Sequence, residues 1–476
     1  MNKSKKFFAV NKTTWGHRWG YRDTAFVSKD NKNVTLSGSR YEICSKMLPG
    51  LIPFAEEVLG INVLPEPQIH EVKKKPVSDK KTNEAFMDEL ENLFNEDRYT
   101  STDKERLLHS HGQTTSDEIY KVLYSKLDSF TDLVFYIETE EEAKQLIDLA
   151  KKHDVCLIPF GGGTSVSNAL KIPEGEKRMV VSVDTRRMNK IEYIDEENLL
   201  ATVECGILGV DLEKKLQDQG YTAGHEPDSI EFSTLGGWIS TNASGMKKHK
   251  YGNIEDIVQN VTLITPSGTI NQIKPLTRSS IGVKTQNLVF GSEGNFGIIT
   301  KATIRIHKKP EASTFESILF HSWEDGVSFM YEVAHSNLIP ASSRLMDNSM
   351  VRFASALKEG KSGLNKFIDS IKNFFVFKVK GFNQKKCVVA IFKMEGSNQE
   401  VQYQRDNLKI LAKKYSPVFA GSSQGKSGYN LTLAIAYIRD FFMDQNIIGE
   451  TLESAVPWSD VLKVSKAVTE KLKELH

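Results

Sequence analysis

The chain has 476 residues, of which 39% are apolar and 26% charged, and its 62 Lys and Arg nearly cancel its 61 Asp and Glu. This length predicts two or three domains, and the balanced charge argues against a general attraction to nucleic acid. The four cysteines form no CxxC pair, which argues against a zinc module and a disulfide framework and favours a reducing compartment.

Residues 1–128 predict an N-terminal region that is mostly helical. Within it, the segment VKKKPVSDKKTNE (72–84) predicts a solvated linker or insertion, because clustered charges and a proline disfavour a packed element. No apolar run is long enough to cross a bilayer, and neither end carries a recognisable targeting signal. The sequence ends therefore give no cellular address.

Residues 129–310 predict an α/β domain. The runs LVFYI (133–137) and VCLIP (155–159) are typical of buried strands, and Thr139 with Glu142 forms a capping box for a helix between them. Later elements are predicted, in chain order, as strands at 179–185 and 199–207, a helix at 209–220, a hairpin at 258–270 turned at Pro266-Ser-Gly268, and a strand before Pro310.

The second predicted strand leads into PFGGGTSVSNAL (159–170), which combines three consecutive glycines with small hydroxyl side chains. Without Cβ atoms, successive backbone N–H groups can converge on an anion, most often a phosphate. The loop lacks the Gly-Lys-Ser/Thr of a P-loop, and Val166 stands where a Rossmann fingerprint needs its third glycine. For this loop alone, phosphate binding and a plain turn both stay open.

Two later segments have a similar composition. The segment 224–253 is rich in Gly, Ser, Thr and Asn, and burying such polar groups without partners costs about 1–3 kcal/mol each. We therefore expect a large polar ligand against it. The third segment, GSEGNFG (291–297), is typical of a turn on its own. Three such segments in one α/β domain predict a nucleotide site.

Other polar residues give weaker signals. His109 and His111 form a His-x-His pair, but no third ligand has suitable spacing, so no metal site is predicted. We expect His225 to make a structural hydrogen bond. The run Lys247–Lys250 is expected to be a solvated loop.

Residues 311–476 mix strand-like and helical runs. The run VVAIFKM (388–394) is typical of a strand. The end of the chain predicts a helix with an apolar stripe, formed by Val461, Val464, Val468, Leu472 and Leu475.

Taken together, the three glycine-rich segments resemble the FAD-binding domain of flavoproteins of the vanillyl-alcohol-oxidase type. The segments 224–256, 291–304 and PASSRLMDN (340–348) are similar to the alkyldihydroxyacetonephosphate synthase family of ether-lipid (plasmalogen) synthesis. The resemblance runs in order from His109 to about Trp458. It implies an α+β fold: a mostly helical region (1–128), a two-subdomain FAD-binding domain of the PCMH type (129–310) and a cap with an antiparallel sheet (311–476).

The resemblance implies a transferase that uses FAD without net redox change. Such enzymes exchange the acyl chain of acyl-dihydroxyacetone phosphate for a long-chain fatty alcohol. No His or Cys in the glycine loop could tether the cofactor, so we expect non-covalent FAD. The resemblance also implies a homodimer, peripheral membrane association, a peroxisomal or glycosomal location and no nucleic-acid partner.

The resemblance carries over residue by residue. The pyrophosphate would be bound by the first loop: Phe160, Gly161, Gly162, Gly163, Thr164, Ser165 and Val166. The flavin would contact the second segment: Asp228, Ser229, Ile230, Glu231, Phe232, Ser233, Thr234, Thr241, Asn242, Ala243 and Ser244. Further FAD contacts would come from the third segment: Gly291, Ser292, Glu293, Gly294, Asn295, Phe296 and Gly297.

Three residues are implied in catalysis. Thr234 has a hydroxyl suited to donate to the flavin ring. Arg344 matches the family's active-site arginine, and Arg439 matches the arginine proposed for the substrate phosphate. Arginine suits that role because its planar fork binds a phosphate bidentately and stays charged. The alternative for each arginine is an ion pair at a surface or between domains.

The family continues well past Pro457–Trp458, and that portion carries a tyrosine and a histidine cluster expected to transfer protons. The sequence stops at His476, so we expect these groups to be absent. An incomplete gene product, supply of the groups by another chain, and loss of catalysis are the open explanations. Two other functions stay open: an FAD-linked 2-hydroxy-acid dehydrogenase, which would need ligand-binding histidines in the cap, and a non-catalytic flavin-binding remnant.

Overall fold

The computed structural model describes Thr14, residues 16–28, Asp30, 33–63, 77–271, Ser280, 282–360 and 375–475. Of the lysine-rich segment 72–84, residues 72–76 lie outside the described residues, and the rest has no regular structure before Asn83 caps a helix by accepting from the Phe86 N–H at 3.1 Å. Within the described ranges, no helix combines the length and apolar character needed to span a membrane.

The secondary structure alternates short strands with helices along the whole chain. The strands are β1 (Phe26–Ser28), β2 (Val34–Leu36), β3 (Tyr99–Thr100), β4 (Leu133–Tyr136), β5 (Cys156–Phe160), β6 (Val180–Asp184), β7 (Ile191–Asp195), β8 (Leu200–Glu204), β9 (Tyr221–Thr222), β10 (Val258–Thr265), β11 (Gly268–Ile270), β12 (Ile298–Arg305), β13 (His307–Lys308), β14 (Ala312–Phe320), β15 (Ser342–Met346), β16 (Val388–Gly396) and β17 (Val418–Phe419). The α-helices are α1 (Leu51–Leu59), α2 (Glu84–Leu93), α3 (Asp103–Leu108), α4 (Ser116–Leu123), α5 (Glu140–Lys152), α6 (Gly209–Gln217), α7 (Leu235–Ser240), α8 (Lys248–Tyr251), α9 (Ile254–Ile257), α10 (Trp323–Ala334), α11 (Asn348–Ala356), α12 (Asn398–Ala412), α13 (Ser422–Asn430), α14 (Ile435–Met443) and α15 (Val461–Leu475).

The chain divides into two compact units. Unit 1 contains residues 1–22 and 69–309, and unit 2 contains residues 23–68 and 310–476. Unit 2 is thus built from two separate stretches of the chain. The three-domain division with boundaries after 128 and 310 stays a prediction.

The first sheet of unit 1 has the strand order β3-β4-β6-β5, with β4, β5 and β6 parallel. Parallel strands need a crossover connection, and α5 connects β4 to β5, which lie on either side of β6. Thr139 caps α5 by accepting from the Glu142 N–H, but the Glu142 carboxylate bonds the Glu138 N–H rather than that of Thr139. The predicted capping box is therefore only half formed.

The second sheet of unit 1 is antiparallel, with the order β11-β10-β12-β8-β7. The hairpin of β10 and β11 pairs Thr265 with Gly268, which confirms the turn predicted at Pro266-Ser-Gly268. The interior-facing Val, Ile and Leu residues of β8, β10 and β12 pack against Leu212 of α6 and Trp238 of α7. This packing fixes the loops that follow β8 and precede β12.

Unit 2 contains an antiparallel sheet with the order β15-β16-β14-β17. One face, with Phe320 and Phe392, packs against Phe329 of α10 and Leu408 of α12 to form a core. The Trp323 indole of α10 donates to the Ser465 hydroxyl of α15 at 3.2 Å. On α15, Val468, Leu472 and Leu475 of the predicted apolar stripe are exposed. The antiparallel sheet confirms the predicted α+β class with a cap sheet.

Candidate functional site

The three glycine-rich segments lie together in unit 1. A Cβ on Gly161 would collide with the Thr234 hydroxyl, and one on Gly162 would collide with the Phe232 carbonyl oxygen. From the third segment, Gly294 has φ +82° and would place a Cβ 3.1 Å from the Pro159 ring. Glycine is therefore required at these positions because each loop approaches another loop closely.

Backbone hydrogen bonds join the third segment to the second. The Glu293 N–H donates to the Ser240 carbonyl at 2.8 Å, and the Gly291 N–H donates to the Ile239 carbonyl at 3.3 Å. Both carbonyls belong to α7, whose first turn is capped by Thr234 accepting from the Gly237 N–H at 3.1 Å. One short helix thus ties together the second and third segments.

A segment that the sequence analysis did not identify holds the first loop. The Gln113 side-chain amide donates to the Gly162 carbonyl and the Gln113 N–H donates to the Gly163 carbonyl, each at 2.8 Å. The Thr114 hydroxyl donates to the Thr164 carbonyl at 3.1 Å. A lone Gln-Thr pair in a loop has no sequence pattern that predicts this role.

A buried ionic network supports the residue that begins the loop. Asp184, at the end of β6, contacts His109 Nε2 at 3.0 Å and binds the Arg186 guanidinium. Burial opposes ionisation of Asp184, but Arg186 and His109 outweigh it and hold the carboxyl pKa well below its usual value. The ring centroids of His109 and Phe160 lie 4.4 Å apart, and the Arg186 guanidinium lies over the Phe160 ring, 5.2 Å from its centroid. The network fixes Phe160, whose side chain belongs to the core; its contact with FAD stays a prediction.

The His-x-His pair has structural partners. His109 also contacts the Glu105 carbonyl through Nδ1 at 2.8 Å, and His111 contacts the carbonyls of Gly112 and Gly16. Across the residues that the structure describes, no group of three or more His, Cys, Asp or Glu side chains could hold a metal ion.

The second segment satisfies many of its own polar groups. The hydroxyls of Ser240 and Thr241 both donate to the Gly237 carbonyl, and the Ser244 hydroxyl donates to Asn253 at 2.9 Å. These hydroxyls therefore have hydrogen-bond partners without a ligand, and the contact of this segment with a large polar ligand stays a prediction. Asp228, Ser229, Ile230 and Glu231 form a turn, in which the Phe232 N–H bonds the Ser229 carbonyl.

Two expectations about basic residues were wrong. Both ring nitrogens of the buried His225 lack a hydrogen-bond partner among the described residues, so His225 does not make the expected structural hydrogen bond. Burial, with a smaller effect from Lys247, lowers its pKa to about 4. Lys247 is itself buried and pairs with Glu226 at 3.3 Å, so the basic run does not begin as a solvated loop.

The residues of unit 1 fit a bound FAD. The three loops approach one another closely at glycine positions, and the backbone N–H groups of glycine-rich loops can bind a diphosphate. The Ser165 hydroxyl is shielded from solvent and has no partner within the described parts of the chain, as expected for a group reserved for a ligand. Val166 is 72% exposed and Phe296 52% exposed, and an aromatic ring system would cover such apolar side chains.

The two predicted arginines lie in unit 2. Arg344 is on β15 opposite Ile391 of β16, so both side chains leave the same face of the sheet. Arg439 is on α14, where its Nε and Nη2 bind the Asp440 carboxylate at 2.9 and 2.5 Å. Thr234, the third predicted catalytic residue, belongs to unit 1.

A cavity of about 510 Å³ lies on that same face of the unit 2 sheet. The strand residues that line it alternate with the core residues of the opposite face, as the two-residue period of a strand requires. Its lining is mainly apolar and includes Tyr41, Met346, Ala354, Val389, Ile391 and Leu433. Charged residues of both signs also line it: Arg40, Lys46, Lys358, Glu42 and Glu359. A cavity of this size accepts a long apolar chain with a polar head.

Comparisons with known proteins identify the domains and the family of this chain. Residues 131–274 match a family model described as FAD binding domain, and residues 309–476 match one described as FAD linked oxidases, C-terminal domain. The chain is 40% identical to the alkyldihydroxyacetonephosphate synthase of Caenorhabditis elegans, over 96% of this chain and 76% of that protein. It is 31% identical to the Dictyostelium discoideum protein of the same name, over 93% and 74%. A solved alkyldihydroxyacetonephosphate synthase structure, 28% identical, superposes with a TM-score of 0.87 over 99% of this chain and 84% of that one.

Proposed function

This chain belongs to the alkyldihydroxyacetonephosphate synthase family, and from that premise we propose that it exchanges the acyl chain of acyl-dihydroxyacetone phosphate for a fatty alcohol. FAD is its cofactor. The observation that carries the proposal is the convergence of three glycine-rich segments around Gly161, Gly162 and Gly294. Their close approach supports a nucleotide site at these loops.

The reaction is balanced without an external oxidant or reductant. The bond between C1 of dihydroxyacetone phosphate and the ester oxygen breaks, and the fatty acid leaves with both of its oxygens. The alcohol oxygen forms the ether bond to C1, and the alcohol proton passes to the departing carboxylate or to solvent. When bound, FAD would supply an electron-accepting ring system for this exchange.

The residues of the chain bind and orient the reactants. The backbone of residues 161–165 and the Ser165 hydroxyl would hold the pyrophosphate. Thr234 accepts from the Gly237 N–H, so its own hydrogen stays available to donate to the flavin ring. Arg439 would bind the substrate phosphate, and Arg344 would act beside the reacting centre.

We propose that the alkyl chain of the substrate occupies the cavity of unit 2. Its apolar lining suits a hydrocarbon chain, and the neighbouring Arg344 suits the polar end of the same molecule. Peripheral membrane association would bring this cavity to its lipid substrates. Homodimer formation and a peroxisomal or glycosomal location are further proposals that family membership supports.

Reconstitution of the purified chain tests the proposal. We expect flavin absorbance in the purified protein and an ether product when palmitoyl-dihydroxyacetone phosphate and hexadecanol are added. Flavin without ether product would contradict the proposed transfer while leaving the cofactor site intact. Reduction of the flavin by a 2-hydroxy acid would instead select a dehydrogenase.

A further inference from the structure

Arg439 is paired with its neighbour in the chain. Its side chain is 10% exposed and that of Asp440 is 8% exposed, and Nε and Nη2 of Arg439 both contact Oδ1 of Asp440. Two aromatic contacts hold α14 in unit 2: Tyr437 packs on Tyr41, and Phe441 packs on Phe26. The helix that carries the ion pair is therefore fixed within unit 2.

Helix geometry does not favour this pair. Adjacent residues of a helix point about 100° apart and do not face each other, so the Arg439 side chain must bend around the helix to reach Asp440. Asp440 also lies in the last turn of α14, where the helix dipole disfavours a negative charge. A buried ion pair is weak evidence for added stability. Helix geometry alone therefore does not explain why this pair forms.

We propose that Asp440 is a positioning residue for the phosphate-binding arginine. It holds the Nε/Nη2 edge of Arg439 and thereby directs the Nη1/Nη2 edge, the second fork of the guanidinium, toward the phosphate of the substrate. A guanidinium fork binds phosphate bidentately only when its plane is oriented, and a pre-oriented fork loses less conformational entropy on binding. The inference rests on the proposed function, which assigns the phosphate to Arg439.

Binding of dihydroxyacetone phosphate to the FAD-loaded chain tests the inference. Isothermal titration calorimetry would compare the wild type with Arg439→Ala, Asp440→Asn and the double variant. The asparagine keeps the shape of the side chain and removes its charge. We expect Asp440→Asn to raise the dissociation constant about tenfold with unchanged FAD content. Asp444→Asn, at the end of the same helix, is the matched control and should bind like the wild type.

The double variant separates positioning from a general structural effect. If Asp440 acts through Arg439, Asp440→Asn should have no further effect in the Arg439→Ala background. Binding as tight as the wild type, or tighter, in Asp440→Asn would overturn the inference, since it would mean that Asp440 is silent or competes with the phosphate. The inference would also be overturned if Asp440→Asn weakened binding as much in the Arg439→Ala background as it does in the wild type.

The test also distinguishes the inference from the proposed function. A wild-type chain that does not bind dihydroxyacetone phosphate, or an Arg439→Ala variant that binds it normally, would contradict the assignment of Arg439 itself. If Asp440→Asn does not fold, Asp440→Glu carries the test. That variant keeps the charge but moves the carboxylate by one methylene, so we expect weaker binding with wild-type thermal stability, and wild-type binding would again contradict the positioning role.

Discussion

At the scale of single residues, His225 is a buried imidazole beside Trp238 and Lys247 in the second glycine-rich segment. Its ring nitrogens have no partner in the described structure, so no acceptor compensates a proton on the ring. The neutral form is therefore the one compatible with the folded state. This makes the cofactor region sensitive to mild acid.

We expect the stability of unit 1 to fall as the pH is lowered from 6.5 toward 4. The pKa of His225 is about 4 in the folded chain against a usual 6.5, so protonation of His225 favours the unfolded state. Above pH 6.5 the ring is neutral in both states, and the folded state has its full stability. At pH 4.5 the loss should be about 2–3 kcal/mol. Urea unfolding at pH 7 and pH 4.5 would measure it. His225→Gln should show a smaller difference between the two pH values, and an equal difference would contradict the assignment.

Gly162 is the residue at which the loop packing is tightest against backbone. In Gly162→Ala the new methyl group would meet the Phe232 carbonyl oxygen, which cannot move away as a flexible side chain could. We expect a loss of about 1–3 kcal/mol of stability and little bound FAD, measured by urea unfolding and the flavin-to-protein absorbance ratio. The control is Gly449→Ala, whose methyl group would meet no atom within 4 Å. Normal FAD content in Gly162→Ala would show that the loops can separate.

At the scale of secondary-structure elements, the sequence predicted a strand correctly where all of its side chains are buried. The run at 133–137 is apolar on both faces and forms β4, which is buried on both sides. Strand β7 was missed because IEYID mixes charged and apolar residues on a strand with no fully buried residue. The pairing of Arg439 with Asp440 could not be predicted either, because helix geometry points adjacent side chains apart.

Helix α11 provides one wall of the unit 2 cavity through Val351 and Ala354. Ala354→Phe should shorten the space for an alkyl chain, so we expect turnover with hexadecanol to fall more than turnover with octanol. Ser349→Phe, on the exposed side of the same helix, adds the same bulk outside the cavity and should leave the ratio unchanged. Competition assays with both alcohols would measure the ratio. An unchanged ratio in Ala354→Phe would place the alkyl chain elsewhere.

At the scale of the whole molecule, the three glycine-rich segments carried a family resemblance that was sufficient to predict an FAD-binding fold with a cap. The sequence could not give the contacts among the loops, since they depend on backbone approach at Gly161, Gly162 and Gly294. Nor did it reveal the supporting layer of Gln113 and Asp184, because single polar residues far apart in the chain have no pattern that marks them as neighbours.

FAD should stabilise the folded chain by mass action and should be removable. At free FAD a hundredfold above its dissociation constant, we expect about 2.7 kcal/mol of added stability, seen as a rise in melting temperature between apoprotein and holoprotein. Trichloroacetic acid should release the flavin into the supernatant, since the glycine loop contains no His or Cys for a covalent link. Flavin retained in the precipitate would show attachment elsewhere in the chain.

Unit 2 is interrupted in sequence by nearly all of unit 1, because residues 23–68 and 310–476 belong to one compact body. During translation, residues 23–68 leave the ribosome first. Residues 310–476, which complete unit 2, follow on the order of tens of seconds later at usual translation rates. Residues 69–309 can meanwhile fold as a continuous stretch. We therefore expect residues 69–309 to fold before unit 2 is complete. A chain that terminates before Pro310 would lack Phe441, which packs on Phe26, so Phe26 would lose part of the contacts that bury it.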